Sequence, residues 1–283
     1  MRIRTNAIVL VVMLVSLLLL ERPGREARAA TLTVTTAADV VDPTDGVLSL
    51  REAIAEALSG DTVDFDANLS GQTIILAQGQ LTIDKDLTIE GLGASLLSVN
   101  GNRSSRIFEI VEGTVVAISG VTITSGFVFD DGGGIFNAGT LTLTDAVVRE
   151  NATEVFGSGG GIFNAGTLTV IDSTVSGNTA RLGGGVANGN AVLELTNSTV
   201  TANIAVSLPD IGSFGGGIDN VSGTVQLTHS TVKANSADVG GGIRNFDGTL
   251  QLTHSTVSSN TADFGGGIHN SGAALTQLSQ PDG

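Results

Sequence analysis

Six runs of three glycines begin at residues 132, 159, 183, 215, 240 and 265, at intervals of 27, 24, 32, 25 and 25 residues. Each opens the same phrase, in order GGGIFN, GGGIFN, GGGVAN, GGGIDN, GGGIRN and GGGIHN. A unit of about 25 residues cannot bury a core alone, so a chain built of such units must stack them and share one core. Two further segments recur inside each period. One alternates apolar residues among threonines: Leu141 and Leu143, Leu168 and Val170, Leu193 and Leu195, Val225 and Leu227, Leu250 and Leu252. The other carries Val148, Val175, Val200, Val232 and Val257 just before a second Asn, as in VRENAT and VSSNTA. Alternation of this kind marks a strand with one buried face.

Three short strands per period, with no stretch long enough for a crossover helix, predict an all-β solenoid. Stacked coils pair each strand with its copy at about 4.8 Å and bury Ile, Leu and Val in one column. The expected fold is a three-faced parallel β-helix, right-handed by the usual preference of parallel connections. Glycines weaken ordinary strands by about 0.5–1 kcal/mol each, so the triplets need positive φ or close approach of neighbouring coils. A phosphate-binding loop is excluded, because neither the Lys nor the helix that such a loop needs follows the glycines.

Two Asn columns run through the repeats, Asn137 to Asn270 after the triplets and Asn151 to Asn260 after the valines. An amide both donates and accepts, so stacked copies are expected to bond along the axis as structural ladders, with ligand contact as the alternative.

The chain begins with a different grammar. Arg2 and Arg4 precede an apolar run from Ala7 to Leu20, and Ala27, Arg28 and Ala29 follow. That order predicts a secretory signal peptide over 1–29. A run of fourteen residues rises only about 21 Å as a helix, short of a hydrocarbon core of about 30 Å, so no permanent membrane span is expected in the mature chain. Residues 30–71 form a cap and 72–283 the coils, regular from 132 onward. Within the cap, Ser49 and Glu52 make a capping box, and Leu50, Ala53, Ile54, Ala57 and Leu58 follow a helical stripe that Gly60 ends. A short helix with one apolar face is suited to closing the open end of the solenoid. At the other end the alternation breaks by Gln277, so the last coil reads as unfinished and open to another chain or a further domain.

Composition limits the partners. Thirteen Lys and Arg against 28 Asp and Glu give a net charge of -15, which repels phosphate backbones and makes nucleic acid an unsuitable ligand. With no Cys, disulfides, thiolate metal sites and Cys nucleophiles are excluded.

The stretch TLTVTTAADVVDPTDGVLSLREAIAEA, with GDTVDFDANLSGQTIIL and LTIDKDLTIEGLG after it, resembles the CSLREA domain that opens many exported bacterial β-helix proteins. Val47 stands where that name has Cys. Repeats such as VSGNTARLGGGV are similar to polymorphic outer membrane protein repeats, with Val for Phe in their FxxN element. The resemblance implies a pectin-lyase-like fold and an extracellular or cell-surface place. The biochemical roles of such families are mostly unassigned.

For chemistry on a β-helix, outward residues must align on successive coils. The row between the aliphatic residue and the Asn of each phrase reads Phe136, Phe163, Ala187, Asp219, Arg244, His269. Asp219, Arg244 and His269 would suit a polysaccharide lyase that binds a uronate and abstracts a proton. The opposing reading is ordinary pairing of charges on neighbouring strands, beside glycines that build no wall. Asp238 and Asp263, with Asp130 in the equivalent place, are a candidate Ca²⁺ pair or plain turn residues. Asp145, Asp172, Asn197, His229 and His254 form a corner column whose two His are a candidate metal pair. The sequence therefore favours an exported, non-catalytic scaffold, engaged in adhesion or another surface interaction, whose partner is a polysaccharide or a second surface protein. No cofactor is expected unless Ca²⁺ binds, and the alternative function is a polysaccharide lyase or glycoside hydrolase.

Overall fold

The structure is a computed structural model that describes residues 29–272 and 274–278. The expected signal peptide falls, but for Ala29, outside the described residues. No helix among the described residues is long and apolar enough to cross a membrane.

The chain winds into a parallel β-solenoid. One face is a ten-stranded sheet running from Thr31–Val34 to Ala274–Leu278, and two more are eight-stranded. The triplet face runs from Leu81–Ile83 to Ile268–Ser271, and the valine face from Gln72–Ile75 to Thr256–Ser258. These are the three expected faces, and a small fourth sheet of four two-residue strands, from Phe127–Val128 to Ile204–Ala205, adds to them. It forms where the chain leaves the valine face, because coils kept in register there bring their backbones within ladder distance.

The repeat sets the register. Leu141 pairs with Leu168, Leu168 with Leu193, Leu193 with Val225 and Val225 with Leu250, and all five are buried. Ile135, Ile162, Val186, Ile218 and Ile243 line the triplet face from inside, and Val148, Val175, Val200 and Val232 the valine face. Burying each such side chain is worth about 1.5–3 kcal/mol, and the three inward columns form one continuous core.

Both Asn columns are ladders. From Asn137 to Asn270 each Nδ2 donates to the Oδ1 of the next coil, at 2.7, 2.7, 2.7, 2.6 and 2.7 Å. In the second column each Nδ2 from Asn151 to Asn235 donates to the next Oδ1 at 3.0 to 3.1 Å, and the backbone N–H of the same residue donates there too. A third ladder was not anticipated. The backbone N–H groups of Ala146, Ser173, Ser198 and Ser230 donate to the hydroxyls of Ser173, Ser198, Ser230 and Ser255 in turn.

One triplet shows why glycine is needed. Gly183 has φ near 59°, while a Cβ on Gly184 would lie 2.5 Å from the Ile204 carbonyl oxygen and one on Gly185 2.5 Å from that of Gly217. Both expected causes operate, at different positions of the same triplet.

The helix spans Leu50–Glu56, with the capping box of Ser49 and Glu52 in place. Gly60 does not end it: it stops at Glu56 with Ala57 as its C-cap, and Leu58 is exposed rather than part of the buried stripe. Arg51 ties the helix to the coils. Its guanidinium takes both oxygens of Asp39, at 2.7 and 3.0 Å, and donates to the carbonyls of Gly79 and Gln80.

Replacing Asn188 by Leu removes the acceptor of Asn164 and the donor to Asn220. Leaving the Asn220 Oδ1 without its donor, and Asn164 Nδ2 with backbone acceptors only, should destabilise the fold by about 1–3 kcal/mol in urea unfolding, and an unchanged midpoint would exclude a stabilising ladder.

Candidate functional site

The outward row of the triplet face is brought together as the spacing predicts. Phe136 pairs with Phe163, Phe163 with Ala187, Ala187 with Asp219, Asp219 with Arg244 and Arg244 with His269. The Phe136 and Phe163 rings stack, with centroids 5.3 Å apart and planes at 17°, and the Arg106 guanidinium covers Phe136 at 5.1 Å. Arg106 is itself held by the carbonyls of Asp131 and Gly132 and by Gln80.

Asp219 is 2% exposed. Arg244 Nε lies 2.7 Å from its Oδ1, but neither atom makes a well-aligned hydrogen bond, so the pair is held by charge and proximity. Burial pushes the Asp219 carboxyl up to about 6, against the pull of Arg244 and, more weakly, Arg181. The Arg244 guanidinium also sits over the Phe214 ring at 4.3 Å and near Phe246 at 5.6 Å.

The glycines do have a wall beside them. The residues preceding the triplets pair along the axis, Ser158 with Leu182, Leu182 with Phe214, Phe214 with Val239 and Val239 with Phe264. This ridge borders the row and, with it, encloses a cleft of about 160 Å³ lined by Ser158, Phe163, Leu182, Ala187, Asp219 and Val221, among others. Neither the ridge nor the cleft was foreseen, because the ridge residues share no chemistry from coil to coil. Phe214 arrives at the end of the insertion from Ile204 to Phe214, which folds back on itself through a Leu208 to Ile211 bridge.

Asp238 holds that insertion. It accepts from the Ser207 hydroxyl at 2.8 Å and the Ser213 N–H at 2.9 Å, contacts that keep its carboxyl below the ordinary range. Asp263 is exposed. The corner column Asp145, Asp172, Asn197, His229 and His254 has φ between 46° and 51° throughout, a region where Asn, Asp and His are enriched. The His229 and His254 rings stack at 5.0 Å. Among the described residues no three His, Asp or Glu side chains cluster as metal ligands.

No protein-family model matches the chain, and no curated protein matches it. Among solved structures it is similar to the pectate lyase Pel9A, with a TM-score of 0.50 and 11% identity over 90% of this chain and 79% of that one. A second similar structure is the pectin methylesterase PemA from Erwinia chrysanthemi, with a TM-score of 0.42 and 11% identity over 89% of this chain and 93% of that one. The chain is a pectin-lyase-like parallel β-helix, and at this identity the likeness is one of fold.

The Asp219 carboxyl titrates near 6 in the folded state, against an ordinary value of 3.8, so the folded state binds the extra proton between those values. Stability from this group is complete below the lower value and is lost as pH rises through the upper one, a span of about 3 kcal/mol. The advantage of Asp219→Asn over the wild type should therefore grow by about that amount between about pH 4 and pH 7 in urea unfolding. A difference independent of pH would show that Asp219 is not held uncharged by burial.

Proposed function

We propose that the protein is a non-catalytic β-helix scaffold, exported and presented outside the cell or on its surface. In this reading residues 1–29 direct export, 30–71 form a CSLREA-like cap and 72–283 form coils akin to polymorphic outer membrane protein repeats. The cap assignment is supported by Arg51 and Glu52, whose side chains bind the first coils and the helix entry.

The observation that carries the scaffold reading is the closure of the Asp219 and Arg244 pair. A lyase of acidic polymers needs a cation free to hold a carboxylate and a base that reaches the carbon acid. Here the guanidinium is already neutralised by Asp219 and flanked by Phe214 and Phe246, while the carboxylate is nearly all buried beside it, at the edge of the cleft. His269 follows in register one coil further, as half-buried surface beside Arg244.

One observation favours the alternative, a polysaccharide lyase or hydrolase. A carboxyl raised to about 6 in a cleft has the proton affinity of a general base near neutral pH. The pectate lyase among the similar structures is consistent with that reading only at the level of fold.

The two readings separate by turnover. The purified protein, β-rich by circular dichroism, should release no new reducing ends and no unsaturated uronate from acidic or neutral polysaccharides, with or without Ca²⁺. Turnover that disappears in Arg244→Ala would overturn the scaffold reading and make the protein an enzyme.

A further inference from the structure

We propose that the edge between the fourth sheet and the triplet face is a docking strip for a basic amphipathic helix of a partner protein. The inference rests on the scaffold reading and deepens it by naming what the scaffold would hold.

Each coil crosses this edge in one segment, at residues 129–131, 154–158, 181–182, 206–214, 238–239 and 263–264. The segments stack because their flanks do. Phe127 pairs with Ala152 and Ile204 with Ser236 on one side, while Leu182 pairs with Phe214 and Val239 with Phe264 on the other. Every segment carries at least one charged residue and one apolar residue.

The apolar part is exposed to an unusual degree. Phe129 is 81% exposed, Phe156 66% and Phe264 66%, and among the described residues Phe246 is the one other exposed Phe. Phe129 stands edge-on to Phe127 at 5.6 Å, and the insertion adds exposed Val206 and Ile211 between Phe156 and Phe264. Large exposed apolar side chains gathered on one edge mark an interaction surface.

The charged part selects the partner. The segments hold six carboxylates, Asp130, Asp131, Glu154, Asp210, Asp238 and Asp263, and one cation, Arg181. Arg181 also acts on Asp219, and the buried Arg106 acts on Asp130 and Asp131. With both cations counted, six less two leaves an excess of four negative charges. Asp130, Glu154, Asp210 and Asp263 have no hydrogen-bond or salt-bridge partner among the described residues. Complementarity requires a partner with Lys or Arg beside apolar side chains, and it disfavours anionic glycans and anionic lipid.

Spacing selects the partner's conformation. Coils repeat at about 4.8 Å, an α-helix laid along the axis returns a side chain to one side about every 5.4 Å, and a strand about every 6.6 Å. Over the five steps of the strip a helix drifts by only about 3 Å, whereas a strand slips a whole coil within about three steps. The strip is about 24 Å long, the length of a helix of about 16 residues.

The test uses the whole protein with a helix-forming amphipathic peptide of Lys and Leu, about 18 residues long. The controls are a scrambled isomer without an apolar stripe, oligolysine of equal charge and phosphatidylcholine vesicles. Binding is read by calorimetry and by the gain of helix in far-UV circular dichroism. The amphipathic peptide should gain helix and bind at least about tenfold tighter than either control peptide. Phe129→Ser combined with Phe156→Ser and Phe264→Ser should weaken it by at least about tenfold. Asp130→Asn with Asp263→Asn should weaken it and flatten its salt dependence. Glu90→Gln with Glu194→Gln removes the same charge from exposed positions of the ten-stranded sheet and should leave binding unchanged. Should the triple Phe variant lose its cooperative melting, Phe156→Ser alone replaces it and should also weaken binding. The proposal is overturned if a control peptide binds as tightly, if neither edge variant weakens binding, or if the Glu90 and Glu194 pair weakens it as much. It is overturned too if the same Phe residues carry the protein onto the vesicles and the peptide does not bind. Turnover of a polysaccharide would overturn the scaffold reading and leave the strip standing, whereas no peptide binding and no turnover would remove the strip alone.

Discussion

A buried amide whose side-chain partner is the same amide in the neighbouring coil imposes the register of the whole solenoid. Asn188 donates to Asn220 and accepts from Asn164, and a slip of one residue in any coil would bury unmatched amides on both sides. Hydrophobic stacking alone would tolerate such a slip more readily, since Leu, Val and Ile substitute for one another along the inward columns. The first ladder runs through the triplet-face strands and the second lies just after the valine-face strands. Together they fix the height of each step on two sides of the coil.

That constraint explains where the repeat is allowed to vary. The period of 32 residues between the third and fourth triplets leaves both ladders unbroken, with Asn203 bonded to Asn235 across it as Asn178 is to Asn203. The extra residues are expelled outward between Ala205 and Ser213, and Asp238 clips them there. Outward positions carry no such obligation. The row from Phe136 to His269 changes chemistry at nearly every coil while its backbone pairs in unbroken register.

The inward half of the molecule was legible because it repeats: the Leu and Val columns, both Asn columns and the capping box of Ser49 each follow from spacing. Elements without periodicity were not. A two-residue strand such as Ala152–Thr153 is too short to alternate, so the fourth sheet left no pattern. The Ser ladder was open to view, since Ser173, Ser198, Ser230 and Ser255 each follow the polar corner residue, yet a hydroxyl at a turn reads as solvent-facing until the coils are stacked. The ridge was illegible for a different reason. Asp131, Ser158, Leu182, Phe214, Val239 and Phe264 share a place and no chemistry, and the place exists only once register is known. The order of Asp219, Arg244 and His269 was predicted correctly. Pairing of Asp219 with Arg244 was one of the two readings the row offered, but its burial under Phe214 was not, because Phe214 comes from the insertion and lies outside the repeat.

The insertion and the break in the aromatic stack belong to the same stretch of chain, and the physical link between them is Phe214. Without the insertion's last residue at 4.3 Å, Arg244 would have solvent rather than a ring over its face, and its charge would be better screened. Covered by Phe214, the guanidinium is confined beside Asp219, and the carboxylate is buried at the level where the stack resumes. Burial of that carboxylate is unfavourable in itself, as its raised affinity for a proton records. A row of surface threonines would have served the solenoid equally well at these positions. The molecule instead buries a carboxylate one coil beyond the point where the aromatic stack stops at Ala187. One departure from the repeat thus places Phe214 over the Asp219 and Arg244 pair on a face that the ladders hold rigid.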